Sequence, residues 1–231
     1  MPPVIVIRPE PGTAMTVAAA RAMGLDARAF PLFAVRALPW SLVPRSEIDA
    51  VLLGSANALR HGGPALGAYR GLPAYAVGDR TAQAARDAGL DVVRTGSGGL
   101  QSVLGNLAPG HGRLLRLAGR EHTILDVPAD RTVITREVYA SESLPLPAGL
   151  AETLKEPAVV LLHSAEAAGH FVGECDRIGI GRAGIALACI GPRVAGRAGS
   201  GWAALRSAAL PNDTALLAMA LEICQDFPSG S

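Results

Sequence analysis

Eight short loops in this sequence carry residues suited to gripping an anion: RPEPGT, GSANA, GDRTA, GSGGL, LAGRE, HSAEA, GPRVA and PNDTA. They are rich in Gly, Ser, Thr, Asn and Asp, which cap helix N-termini and let backbone approach a ligand closely. Ser55, Thr81, Ser97, Ser164 and Asp213 bring side-chain oxygens, and Ala56, Ala165 and Gly191 bring backbone amides beside them. Taken singly, each of the five side chains also fits a plain helix cap. Gathered at strand ends, they describe a rim of donors for a negatively charged molecule.

Other constellations are missing. No GxGxxG, P-loop, GxSxG or HExxH pattern occurs. Histidines 61, 111, 122, 163 and 170 are scattered; His163 and His170 lie seven apart and fit a shared helix face, as a metal pair or as ordinary core and surface residues. Cys175, Cys189 and Cys224 have no CxxC spacing, so neither a zinc site nor a disulfide framework is expected. The expectation is an enzyme or binder without metal or cofactor.

The loops need elements to hold them. VIVI (Val4 to Ile7), AVLL (Ala50 to Leu53), AYAV (Ala74 to Val77), LLRL (Leu114 to Leu117), AVVLL (Ala158 to Leu162) and ALACI (Ala186 to Ile190) are short and apolar without alternation. Strands covered on both faces read this way. Ala-rich helical stretches follow most of them, at 13–23, 56–66, 81–88, 100–107, 165–175 and 214–225. Strand, turn, helix, strand is the pattern of a parallel α/β sheet.

The pattern occurs twice. DAVLLGSANAL aligns with PAVVLLHSAEAAGHF, setting Ser55 against Ser164, and VGDRTA aligns with IGPRVA. Two related α/β units are expected. The segment before the first copy would complete the lobe holding the second, and the segment between the copies would complete the other. Lobe one is then discontinuous, 1–34 plus 143–231, with lobe two inserted at 37–135. The chain would cross at 30–36 and 135–143 as a two-stranded hinge, SESLPLPAG forming the return linker, and the rims would share one interlobe cleft.

A formal net charge of +1 argues against nucleic acid as the main partner. With 49% hydrophobic and 18% charged residues, the chain can bury a core. The opening MPPVIVIRPEPG has neither a basic start nor a long apolar run, and no stretch reaches the roughly 18 apolar residues of a membrane span. A cytoplasmic monomer acting on a small molecule is expected.

Together, Arg8–Pro9 after the first strand, GSANAL, VGDRTAQAARDAGLDVV, REVYAS, LLHSAEAAGHF and IGPRVA resemble the uroporphyrinogen-III synthase family, in its order and over nearly the whole chain. The resemblance implies two flavodoxin-like parallel α/β lobes on a two-stranded hinge, the first lobe split by the second. It implies a cyclising lyase that closes hydroxymethylbilane, a linear tetrapyrrole polycarboxylate, to uroporphyrinogen III with ring D inverted. Tyr139 then matches a cleft tyrosine that helps hydroxide leave, although an aromatic packing in the hinge fits the same position. Arg8, Ser55, Ala56, Thr81, Ser97, Ser164, Ala165 and Gly191 become substrate-binding candidates, with Arg8 ordering its loop. Val194, Gly54 and His163 stand where relatives often carry threonine, which weakens side-chain donation there. Two other readings stand beside this one: a bilobal small-ligand sensor without catalysis, and a cofactor-independent isomerase or lyase acting on another anionic metabolite.

Overall fold

The structure is a computed structural model and describes residues 1–227. Its elements run β1 (Val4–Val6), α1 (Gly12–Ala22), β2 (Ala27–Ala29), β3 (Phe33–Ala37), β4 (Ala50–Leu53), α2 (Asn57–His61), β5 (Pro73–Val77), α3 (Asp79–Asp87), β6 (Asp91–Gly96) and α4 (Leu100–Leu104). They continue with β7 (Arg113–Gly119), β8 (Thr132–Ser143), α5 (Ala148–Thr153), β9 (Ala158–Leu162), α6 (Ala165–Ile178), β10 (Ile185–Cys189), α7 (Pro192–Ala198), β11 (Ala204–Ser207) and α8 (Asp213–Asp226). The chain divides into two compact units, 1–34 with 143–231 and 35–142.

The first unit holds a parallel sheet in the order β11-β10-β9-β1-β2. Every residue of β1, β9 and β10 is buried, so these strands are apolar throughout instead of alternating. Ile5, Val160 and Leu187 pack with Phe171 of α6 on one face, and Val4, Val159 and Ala186 pack with Leu216 and Ile223 of α8 on the other. In the order the chain supplies them, the strands lie 2-1-3-4-5. That is the flavodoxin-like arrangement, and its order reverses between β1 and β9.

The second unit repeats this scheme from a different starting point. Its sheet runs β3-β8-β7-β4-β5-β6, with β8-β7-β4-β5-β6 all parallel. Strand β7 takes the place of β1, so the reversal falls between β7 and β4. One face packs on α2 and α3 through Val51, Leu115 and Ala82, and the other on α4 through Leu52, Leu114 and Val103. Strand β3 borders β8; Leu38 N–H donates to the Val138 carbonyl at 2.9 Å, and Arg36 pairs with Glu142.

Several elements differ from the sequence expectation. The helix expected over 56–66 stops at His61 because Gly62, Gly63 and Pro64 follow, and the chain resumes as a 3₁₀ turn over Pro64–Tyr69. The expected linker SESLPLPAG belongs in part to β8, which runs to Ser143, and in part to α5 from Ala148. His170 Nε2 meets the Leu144 carbonyl at 2.7 Å and Glu174 accepts from Leu146 N–H at 2.6 Å, so one face of α6 holds this returning segment.

Candidate active site at the strand ends of each unit

In an open parallel sheet, ligands collect beyond the carboxyl ends of the strands where the strand order reverses. In the second unit that point is a pocket of about 230 Å³. Gly54 and Ser55, just past β4, form one side, and Arg116 to Gly119, ending β7, form another. Val77 ending β5, Tyr139 from β8, Leu100 opening α4, and Glu121, His122 and Thr123 from the loop after β7 complete it.

Ser55 Oγ accepts from Asn57 N–H at 3.2 Å, which fixes the hydroxyl while leaving its proton to donate. Ala56 beside it is buried and offers only its backbone. A β-carbon at Gly54 would stand 3.2 Å from Leu100 Cδ1, so the absence of a side chain keeps that wall open. Tyr139 reaches the pocket because its neighbour across the strands, Gly119, leaves room for the ring. His122 is tied back to the Gly119 carbonyl at 2.8 Å. His61 sits 6.3 Å from the Tyr139 ring centre, and burial together with Arg60 lowers its pKa, favouring the neutral imidazole.

Arg116 and Gly119 were not singled out from sequence. Arg116 is 5% exposed and sits in a strand that is buried from Leu114 to Gly119. Its Nη1 donates to the Thr123 carbonyl at 2.8 Å, while Nε is buried with no partner. Burial pulls its pKa down, with nearby Tyr139 acting the other way. The signal was present in LLRLAG, as a single charge inside an apolar parallel strand.

Two expected binding groups of this unit lie away from the pocket lining. Thr81 is no cap: Gly78, with φ 78°, takes that position, and Thr81 is 5% exposed inside α3. The corresponding Val194 is 6% exposed in the first unit's core, so this position fills space in both copies. Ser97 is no cap either; Gly99 precedes α4, and the Ser97 carbonyl accepts from Ser102 Oγ at 2.7 Å.

The first unit's reversal point is built differently. Arg8, just beyond β1, donates through Nη1 to both Asp213 oxygens at 3.1 and 3.0 Å. Thr16 adds a bond at 3.1 Å, and His163 Nε2 stands 3.5 Å from Asp213 Oδ1. The neighbouring His163 imidazole and then Arg8 hold the Asp213 carboxyl down at about 2. Arg8 therefore has a resident counter-ion. Asp213 is not the cap of α8; Asn212 is, accepting from Ala215 N–H at 2.9 Å. Ser164 does cap α6, accepting from Ala167 N–H at 3.0 Å with Ala165 next to it. Gly191 precedes α7, but the Val194 and Ala195 amides close on its own carbonyl at 3.0 and 3.2 Å, leaving fewer donors than the loop sequence suggested. His163 and His170 do not converge: the first faces Asp213, the second Leu144. Among the described residues, no three His, Cys, Asp or Glu side chains cluster as metal ligands.

The family model of uroporphyrinogen-III synthase HemD matches residues 15–218. The chain belongs to the uroporphyrinogen-III synthase family. Its reaction is that family's, the cyclisation of hydroxymethylbilane to uroporphyrinogen III with loss of water, catalysed without a cofactor. Two solved structures share the fold. A uroporphyrinogen-III synthetase from Helicobacter pylori is 17% identical, with TM-score 0.65 over 96% of this chain and 100% of its own. A mutant uroporphyrinogen III synthase from the extreme thermophile Thermus thermophilus is also 17% identical, with TM-score 0.54 over 96% of this chain and 99% of its own. No curated protein matches the sequence. Among the described residues, no helix is long and apolar enough to cross a membrane.

Proposed function

We propose that this chain performs the family reaction at the second unit's pocket, with Tyr139 as proton donor and Ser55 as a carboxylate-binding hydroxyl. The observation that carries this reading is Tyr139 on the wall of a pocket at the strand-order reversal. The phenol gives its proton to the departing hydroxyl of the bilane as the carbon–oxygen bond breaks, releasing water and leaving an azafulvene cation. Ring D then attacks through its substituted carbon, and the spiro intermediate reopens and closes with ring D inverted, losing a proton in the last step.

Unassisted closure gives the uninverted isomer, so the protein's contribution is chiefly to hold one folded shape of the substrate. Positioning of this kind supplies up to about 7–11 kcal/mol in favourable cases. Within the first unit, Ser164 with the Ala165 amide at the start of α6 offers a donor group of the same kind, the Gly191 turn offers fewer free amides, and Arg8 acts by ordering its loop through Asp213. The chain acts as a cytoplasmic monomer in this reading; its three free, buried cysteines suit a reducing compartment.

The test is incubation with freshly generated hydroxymethylbilane followed by separation of the product isomers. An excess of uroporphyrinogen III over the enzyme-free control is expected. Only the uninverted isomer, at the enzyme-free rate, would overturn the reading.

A further inference from the structure

Arg116 has no counter-ion among the described residues. Its sheet neighbours in register are Leu52 and Thr135, and its hydrogen bond within the chain goes to a neutral carbonyl, that of Thr123. Glu121 lines the same pocket, yet among the described residues no ion pair joins the two. A guanidinium keeps its charge at any ordinary pH, and burying one unpaired is among the costliest placements a side chain can take. Leucine or valine would continue the β7 pattern without that cost. The first unit makes the contrast within one molecule: there the arginine near the reversal point is neutralised by Asp213.

The geometry points to Arg116 as the docking group for one carboxylate of the substrate, carried into the pocket on a single acetate or propionate arm. This rests on the reading above, in which the substrate is a polycarboxylate. Pocket size agrees with an arm and not a whole ligand: 230 Å³ falls below the roughly 300–1,000 Å³ of sites that enclose drug-sized molecules. The Thr123 carbonyl fixes one end of the guanidinium, so the incoming carboxylate meets a pre-oriented charge. Tyr139 shares the pocket, so an arm anchored on Arg116 brings the attached pyrrole to the same site. Arg116 is thus a binding residue, separate from the proton donor.

The experiment compares the full-length wild type with Arg116→Met and Arg116→Lys. Kinetics with hydroxymethylbilane are read alongside thermal shift with succinate as a carboxylate probe. For Arg116→Met, KM is expected to rise about tenfold or more with kcat changed far less, as loss of one charged hydrogen bond implies. Arg116→Lys should fall between, and succinate should raise the melting temperature of the wild type but not of Arg116→Met. A wild-type KM in folded Arg116→Met, or equal succinate shifts in both proteins, would overturn the assignment. If Arg116→Met does not fold, Arg116→Lys decides: it keeps the charge and loses the fork, and a wild-type KM in it overturns the proposal. A wild type that yields only the uninverted isomer sinks the enzymatic reading instead, and the succinate shifts still decide Arg116.

Discussion

Tyr139 lies over Gly119, with ring atoms Cε2 and Cζ 2.7 Å and the hydroxyl oxygen 3.0 Å from where a β-carbon on residue 119 would stand. The two residues pair across β7 and β8 at a register irregularity between Ala118 and Gly119. No side chain fits at 119 unless the ring moves. Gly119→Ala should therefore displace the phenol and lower kcat about tenfold or more, since small misplacements of reacting groups are expensive. Circular dichroism should remain that of the wild type, and an unchanged kcat would show that the ring's position is immaterial.

Tyr139→Phe removes the proton and keeps the packing. General acids typically contribute about 10²–10⁴-fold, and the low end suits a phenol, so kcat should fall about 10²-fold with a near-constant melting temperature. In the double variant with Gly119→Ala, the two losses should not add, because both act through one hydroxyl. Additive losses in the same assay would assign Gly119 a role of its own.

Thr81→Val separates a hydroxyl from a space-filling side chain. Val194 shows that the equivalent position in the other unit accepts valine with the same burial, 6% against 5%. The variant should fold normally, with a melting temperature within about 2–4 °C of the wild type, the equivalent of about 1 kcal/mol in a chain of this size. If the hydroxyl handles substrate, KM rises; wild-type kinetics would return Thr81 to packing alone.

Ser164→Ala should cost about 1 kcal/mol through loss of the cap on α6. Chemical denaturation reads that loss directly. A KM increase beyond it would mark Ser164 as a substrate contact as well.

Acid should destabilise the first unit in a defined window. Asp213 is held at about 2 against an ordinary value near 3.8, so the folded form binds its proton less readily than the unfolded form. The stabilisation is complete above about pH 4 and is lost as pH falls through 2. The full shift would amount to about 2 kcal/mol, and partial exposure of the carboxylate brings it nearer 1 kcal/mol. Glu174, lowered to about 2 first by Arg177 and then by Leu146 N–H, acts in the same direction. Asp213→Asn should shrink the loss of stability between pH 4 and 2 to the share of Glu174, and an unchanged profile would mean that His163 and Arg8 contribute nothing through this carboxylate.

Central strands were legible in the sequence because burial on both faces demands unbroken apolar runs, and AVLL, AVVLL and ALAC supply them. The outer strands β6 and β11 escaped notice for the converse reason: their residues are largely exposed and need no such pattern. Ser164 was legible as a cap from SAEA, whereas Ser55 in the matching SANA leaves the cap position of α2 to Ala56. Asp213 and Thr81 misled because the cap's identity depends on helix phase, and Asn212 and Gly78 lie one and three residues earlier. Arg116 and Gly119 could not be weighed locally. Whether a charge lacks a partner, or a glycine makes room for a ring, depends on chain brought in from residues 123 and 139.

Strand β1 has a consequence for how the molecule is made. It lies inside its sheet between β2 and β9, and Val4 pairs with Val159. During synthesis its inner edge must wait, unpaired, until the ribosome has delivered residues 158–162. The segment 35–142 is contiguous, so its sheet can close first, and domains made early generally fold early. Strand β1 thus keeps one apolar edge open until β9 is made, and that edge is where a holding chaperone has most to protect.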